Sequence, residues 1–403
     1  MEAYDVLIVG GGAAGFFAAV NAAKQNPKLN IGILERGNSV LSKVKISGGG
    51  RCNVTHAEFI PNVLATHYPR GEKELKGPFH AFMTGDTVAW FESRGIPLKT
   101  EDDGRIFPVS NSAQTIIDCF LDEIQKYGVT LMKNHSVQSI APLENGWQLE
   151  TSKGLFSCQK LLIATGSNPK IWKLLAALGL HIISAVPSLF TFDIDDERIK
   201  DIPGVVAKNV YVEVLGTNLA SDGPLLITHS GLSAPSILKL SAFGAIELAA
   251  LNYCFEVKIN FIQQSEASCM QALLNSKSEL SKKQVRNSTI FNLPKRLWYK
   301  LVEASGISET LRWAEVNKSQ LQALSNQLTA AVFKVHGKST FKEEFVTAGG
   351  IDLKEIDFKT FESKCFKNLF FAGEILNIDG VTGGFNFQNA WTGAYLAAQE
   401  LSK

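Results

Sequence analysis

Val6 to Gly15 read VLIVGGGAAG, and a second apolar run, IGILE, ends at Glu35. An apolar strand leads into Gly10-x-Gly12-x-x-Gly15, a helical run continues to about Lys24, and the next strand ends in an acid. This is a dinucleotide-binding fingerprint in its proper context. Gly10 permits the tight turn. Gly12, lacking a side chain, lets the backbone approach a pyrophosphate, and Gly15 lets helix and strand pack closely. The helix start offers N–H groups and partial positive charge to phosphates, and Glu35 is placed to accept from a ribose diol. The fingerprint alone leaves FAD and NAD both open.

The bulk numbers describe an ordinary globular protein. At 403 residues, 45% hydrophobic and 20% charged, the chain is long for one core and points to two or three domains. Its 40 basic and 39 acidic residues leave a net charge of +1, so no global field draws it toward nucleic acid or an anionic membrane. The six cysteines, Cys52, Cys119, Cys158, Cys254, Cys269 and Cys365, form no CxxC pair. Free thiols in a reducing cytoplasm are expected, with no disulfide framework and no metal site. No secretory leader is read at the N-terminus. The apolar run from Pro235 to Leu251 is too short and too charged, with Lys239 and Glu247, for a membrane span.

Along the chain, Lys43 to His56 (KVKISGGGRCNVTH) sets three glycines beside Lys43, Lys45 and Arg51 and reads as a ligand loop. A hairpin is expected over Leu98–Val109, a helix over Ser112–Tyr127, and strands over Val129–Ile140, Trp147–Thr151, Leu155–Cys158 and Lys160–Ala164. Short strands dominate after Pro187. Residues 264–333 read as helical, with Leu293-Pro294 opening one helix and Ser319/Gln322 as a capping box for another. Asn368–Ala372 is a last strand before Gly373-Glu374, followed by a helix from about Asn386 to Leu401. The expected organisation is an α/β fold: a discontinuous Rossmann-like domain over 1–186 and 346–403, a β-barrel-like domain over 187–263 and 334–345, and a helical insert over 264–333.

The C-terminal block resembles the second half of an FAD site. In two-dinucleotide flavoproteins a strand followed by Gly-Asp or Gly-Glu places a carboxylate on the ribityl chain, and a following helix points its N-terminus at the flavin pyrimidine. Gly373-Glu374 and Gly383-Gly384-Phe385-Asn386 fit those parts, as Ala164-Thr165-Gly166 fits a segment passing near FAD. The expected cofactor contacts are Gly10, Gly12, Ala13, Ala14, Gly15, Glu35, Arg36, Lys43, Ser47, Gly48, Gly49, Arg51, Cys52, Asn53, Val137, Ala164, Thr165, Gly166, Gly373, Glu374, Gly384, Phe385, Asn386 and Phe387.

With KVKISGGGRCNVTH, GRIFPVSNSA (104–113), THSGLSAP (228–235), FVTAGGIDLKEID (345–357) and FAGEILNIDGVTGGFNFQNAWTGAYLA (371–397), the whole chain resembles the aminoacetone-oxidase-like (BaiN-like) FAD-binding flavoprotein family. The resemblance implies a glutathione-reductase-like FAD domain, a barrel-like domain and a small helical insert. Phe385 stands where many relatives carry tyrosine, and Asn377 where aspartate is common.

The flavin carries hydride, and the protein supplies position and charge. No second GxGxxG follows Gly15, so NAD(P)H is expected only as a transient donor. Four residues are candidates for the chemistry, each with a plainer alternative. Lys45 would steady charge on reduced flavin or be a surface lysine. Cys52 would be redox-active or pack against the cofactor. Arg105 would hold an anionic substrate group or form a surface ion pair. His229 would donate a proton or serve structure. The expected activity is NAD(P)H-driven reduction of an unsaturated or carbonyl small molecule. An oxygen-using amine oxidase producing peroxide and a silent flavin sensor are alternatives. An FAD-containing tRNA-binding protein is a further one, disfavoured by the near-neutral charge and the lack of a long basic stripe; no nucleic-acid or membrane partner is expected.

Overall fold

The computed structural model of the chain describes residues 2–339 and 346–403. The chain divides into two units, Met1–Val186 with Lys342–Lys403, and Pro187–Phe341. Residues 340–345, at the end of the expected barrel segment and the start of the 345–357 motif, lie outside the described residues.

Unit 1 is built on a sheet of nine strands among the described residues. Five run parallel: β1 (Glu2–Val9), β2 (Ile31–Leu34), β3 (Thr130–Met132), β4 (Gly154–Ile163) and β5 (Leu369–Phe371), in the order β5-β4-β1-β2-β3. Val6, Leu7, Ile8 and Val9 of β1 are buried in succession, the pattern of a strand covered on both faces. Succession along the sheet reverses at β1, with β2 on one side and β4 on the other. The carboxyl ends of strands at such a switch point form a ligand crevice.

Two expected strands, Leu155–Cys158 and Lys160–Ala164, are one: β4 keeps its register on β1 from Phe156 through Ile163. The expected strand Val129–Ile140 is instead broken between β3 and Val137–Leu143. Asn134 adopts a left-handed conformation (φ 61°), and His135 N donates to Glu35 O at 2.8 Å, turning the chain around the end of β2.

Helix α1 (Ala13–Gln25) packs on α3 (Phe385–Leu401); α2 spans Ser42–Gly50. Ala14, Ala18, Ala22, Ala390, Ala394 and Ala397 are all buried, and their small side chains permit close approach. Around this pair, the Trp391 ring centroid lies 5.1 Å from Phe17, 5.7 Å from Phe120 and 5.5 Å from Phe387. The Trp391 indole N–H donates to Val54 O at 2.9 Å.

Unit 2 holds a seven-stranded sheet among the described residues, with antiparallel pairing throughout its reported ladders. The helical segment set apart by sequence shares one core with this sheet. Trp298, Leu301, Leu321 and Leu324 are buried in the same cluster as Val212, Val257 and Phe333. The capping box lies two residues earlier than Ser319/Gln322. Asn317 Oδ1 accepts from Gln320 N at 2.9 Å, and Gln320 Oε1 accepts from Asn317 N at 3.1 Å, opening the helix Lys318–Thr329. An amide at the N-cap satisfies the helix as well as a hydroxyl does, so both patterns were possible from sequence.

Trp391→Ala would empty the centre of the aromatic cluster and orphan the Val54 carbonyl. We expect a loss of about 3–5 kcal/mol, read as a lower urea midpoint. A change under about 1 kcal/mol would show that the cluster does not hold α1 and α3 together.

Candidate FAD site

The carboxyl ends of four parallel strands stand level. Gly10 N donates to Leu34 O (2.8 Å), Ala164 N to Val9 O (2.8 Å) and Ala372 N to Ile163 O (3.2 Å). This rung sets Gly10, Glu35, Ala164-Thr165-Gly166 and Gly373-Glu374 side by side.

The three fingerprint glycines do different jobs. At Gly10 (φ 114°) an added Cβ would lie 2.4 Å from Ala164 O, and at Gly15 it would lie 2.0 Å from Gly10 O. Those two positions are closed by the protein itself. At Gly12 an added Cβ would meet no atom within 4 Å. Gly12 caps α1 with no side-chain hydrogen bond, so the N–H groups of Ala13, Ala14 and Gly15 start the helix without an intrahelical acceptor. Open space beside unbonded amides and a helix dipole suits a pyrophosphate.

Glu35 is held in place: Oε2 accepts from Gly11 N (2.9 Å) and Oε1 from Gly37 N (2.8 Å). Its remaining lone pairs suit the ribose diol. Arg36 beside it is exposed, and Val137 is buried where the next strand starts.

The glycine-rich stretch is not a plain loop. It is α2 with a kink, where Ser47 (ψ 148°), Gly48 (φ 57°) and Gly49 (φ 69°) leave the helical region. Gly50 (φ 82°) and Cys52 (φ 63°) continue in the left-handed region, which glycine enters at little cost. An added Cβ on Gly48 would strike the Phe107 ring at 2.7 Å, whereas one on Gly49 would meet nothing within 4 Å. Ser47 Oγ donates to Val44 O at 3.0 Å, bracing the kink. Lys43 on α2 pairs with Glu374, and the Glu374 Oε2 lies 3.8 Å from where a Gly166 Cβ would be. Lys45, on the same helix, is exposed.

A second helix start completes the cradle. α3 is capped by Gly384 (φ 100°) with no side-chain hydrogen bond. Asn53 is buried, its Oδ1 has no partner among the described residues, and an added Cβ on Gly384 would lie 2.9 Å from that oxygen. Asn389, one turn into α3 and fully buried, has neither Nδ2 nor Oδ1 partnered among the described residues. Buried amides are normally satisfied, so unpaired ones beside a helix N-terminus fit the donor-and-acceptor edge of a flavin pyrimidine. Asn386 closes the preceding loop, accepting from Gly380 N (2.8 Å) and donating to Gly380 O (3.0 Å).

Phe385 is buried against both the His56 and His67 rings, at 4.5 and 4.2 Å, and its carbonyl accepts from Tyr68 Oη at 2.6 Å. His56 Nδ1 lies 3.0 Å from Gly383 O. The ion pair of Arg70 with the fully buried Asp379 anchors the same loop. Phe387 stacks on Trp391. Sequence reading missed His56, His67, Tyr68, Asp379 and Asn389. The signal for Asn389 was present: a polar residue among apolar neighbours on a helix whose other faces are buried.

Of the four candidates for chemistry, Lys45, Cys52 and Arg105 lie in unit 1 and His229 in unit 2. Burial pushes the Cys52 thiol up to about 12, against a smaller lowering by Ser47, so it stays protonated at neutral pH. Arg105 is bound to Asp103 (2.8 Å) and Glu101 (3.6 Å). Arg51 is engaged by Glu101 (2.7 Å) and lies 3.9 Å over the Phe107 ring. His229 belongs to unit 2, exposed at the turn between the strands Ala220–Ile227 and Gly231–Ser233.

A Rossmann-type sheet with two glycine-capped helix starts at its carboxyl edge defines an FAD-dependent oxidoreductase. The model described as "HI0933-like protein Rossmann domain" matches residues 4–400, and the chain belongs to that family. It is 29% identical to the Escherichia coli "Ribosomal RNA dihydrouridine synthase", over 100% of this chain and 98% of that protein. It is 26% identical to the Clostridium scindens "3-dehydro-bile acid delta(4,6)-reductase", over 98% of each. Among solved structures, the 3-ketosteroid-Δ4-(5α)-dehydrogenase of Rhodococcus jostii RHA1 shares the fold, with 13% identity, a TM-score of 0.52, and coverage of 100% of this chain and 97% of that one.

Two results are expected. Gly12→Val should fold with a melting temperature near that of the flavin-free parent yet purify colourless, because its side chain occupies space only a ligand would use. Gly15→Val, 2.0 Å from a backbone oxygen, should fail to fold; a yellow Gly12→Val protein would contradict the assignment. In the native protein, a thiol reagent at neutral pH should modify the exposed Cys254 and Cys365 and spare Cys52, as mapped by peptide mass spectrometry. Cys52 labelling as fast as theirs would show that its site is open.

Proposed function

We propose that this flavoprotein reduces a C=C bond conjugated to a carbonyl, with NAD(P)H as electron donor, and that its substrate is a uracil ring in ribosomal RNA. One observation carries the reading. Relatives alike over nearly the whole chain are named for two very different substrates, a uridine in ribosomal RNA and a 3-keto bile acid. Both present the same acceptor: the uracil C5=C6 bond and the steroid alkene are each conjugated to a carbonyl. Hydride adds to the far alkene carbon and a proton to the near one, while NAD(P)H is oxidised to NAD(P)+.

FAD, when bound, supplies the hydride. The chain's own residues position it. Gly12 and the α1 amides hold the pyrophosphate, Glu35 the ribose, and Glu374 the ribityl side. Asn53, Asn389 and the α3 amides hold the pyrimidine edge, where negative charge gathers on reduction. The RNA substrate is preferred because two of the full-length relatives carry that name. This departs from the expectation, drawn from net charge, that no nucleic acid binds. A small-molecule enone is the second reading, favoured by the bile-acid reductase match.

The test has two stages. NADPH or NADH added without oxygen should bleach the oxidised-flavin band. Ribosomal RNA from cells lacking this gene should then gain dihydrouridine by nucleoside mass spectrometry. Unchanged RNA together with reduction of a 3-keto-Δ4 steroid would move the assignment to small enones. A flavin that stays oxidised with either nucleotide, but is reduced by a small amine, would overturn the reductase reading in favour of an oxidase.

A further inference from the structure

Ser281 to Lys300 reads SKKQVRNSTIFNLPKRLWYK and contains Lys282, Lys283, Arg286, Lys295, Arg296 and Lys300, with no Asp or Glu. Since the whole chain sums to +1, the rest of it carries −5. The near-neutral total therefore conceals a strongly cationic stretch of 20 residues.

The fold turns these cations outward. Val285, Leu293, Leu297, Trp298 and Leu301 are buried in the core of unit 2. The Trp298 indole N–H donates to Val285 O at 3.1 Å, tying the 281–294 loop to the helix Lys295–Ala304. Phe291 (φ 64°) and Asn292 (φ 53°) are consecutive left-handed residues that fix the loop's path. With those positions held inside, Lys282, Lys283, Lys295 and Arg296 are exposed.

Two of the six have partners within the unit. Arg286 pairs with Glu309 and lies 4.8 Å from the Tyr299 ring centroid, and Arg296 donates to Asp201 O at 2.7 Å. Among the described residues, the side chains of Lys282, Lys283, Lys295 and Lys300 make no hydrogen bond or ion pair. The first turn of the helix Lys295–Ala304 also has no acid, so its basic residues face an unopposed dipole of their own sign. A solvated protein face ordinarily intersperses both signs of charge. Here Glu309 answers Arg286 and no acid pairs with the lysines, while Phe291 and Tyr299 of the same stretch are half-buried.

We propose that this face of unit 2 binds the phosphate backbone of the RNA substrate, with Lys282, Lys283 and Lys295 as its contacts. The proposal rests on the uracil-in-RNA reading above. Lysines without internal partners can neutralise phosphates and release their counterions, and half-buried aromatic rings offer stacking surface to unpaired bases.

The test compares the full-length protein with K282A/K283A/K295A and with K282E/K283E/K295E, titrating deproteinised ribosomal RNA over a range of salt. The parent should bind with a steep dependence of log affinity on log salt. The alanine triple should be shallower by about 2 to 3 in that slope and at least about ten-fold weaker at low salt, and the glutamate triple weaker again. Flavin content and the rate of bleaching by NAD(P)H should not change, because none of the three lysines lies in the cofactor's unit. If the parent binds RNA and both triples match it, this surface is wrong while the uracil reading stands. If the parent binds no RNA at any salt, both fall. Lysine-dependent binding to phosphatidylserine vesicles but not to RNA would identify a membrane surface and overturn the proposal.

Discussion

The close approach of Gly10 to Ala164 is the constraint from which the site follows. A Cβ at Gly10 would lie 2.4 Å from the Ala164 carbonyl oxygen, so only glycine lets β1 turn against the end of β4. That turn launches α1 with its first amides at the carboxyl edge of the sheet. α1 packs on α3 through alanines, and a Cβ at Gly373 would lie 3.3 Å from Ala14 Cβ and 3.8 Å from Ala390 Cβ. The strand edge, the first helix and the last helix are thus locked at one point by residues from both ends of unit 1. Two helix starts then converge without side-chain caps, which costs stability unless an anionic or carbonyl-rich ligand takes the amides.

The same reasoning separates glycines that serve the fold from those that serve the ligand. Gly10, Gly15 and Gly384 are filled against protein backbone, whereas Gly12 and Gly49 face open space. Sequence spacing alone cannot make that distinction, because both kinds fall within glycine-rich motifs. Likewise Phe385, in a motif expected to touch the cofactor, packs against two imidazoles. Its ring holds the loop leading into α3, and the missing tyrosine hydroxyl would be enclosed by that packing in this conformation.

Much of unit 1 was legible because its signals are local and directional. Apolar strands of three to eight residues run into glycine turns and helices, and Glu35 and Gly373-Glu374 mark strand ends by position. What was not legible depends on long-range pairing. Phe385 lies far in sequence from His56 and His67, and the three rings form one cluster only after folding. The continuity of β4 through Gln159 and Lys160 is set by its register on β1, which no local propensity encodes. Arg51 and Arg105 looked like anion ligands from composition, but the fold supplies Glu101 to both and Asp103 to Arg105.

Net charge poses a different problem: a total averages over the chain, and electrostatic recognition does not. Fields decay over about 8–10 Å at ordinary salt, so a partner feels a local cluster and not the sum. The flavin unit, with its amides, Glu35 and buried asparagines, is suited to hold a cofactor and says nothing that separates a uracil from a steroid enone. Both are flat, conjugated carbonyl compounds, and one hydride chemistry serves either. Discrimination must then come from whatever carries the rest of the substrate, which for RNA is a polyanion. If the substrate is RNA as proposed, the exposed Lys282, Lys283 and Lys295, braced from within by Val285 and Trp298, would meet such a partner, and an apolar steroid would draw nothing from them.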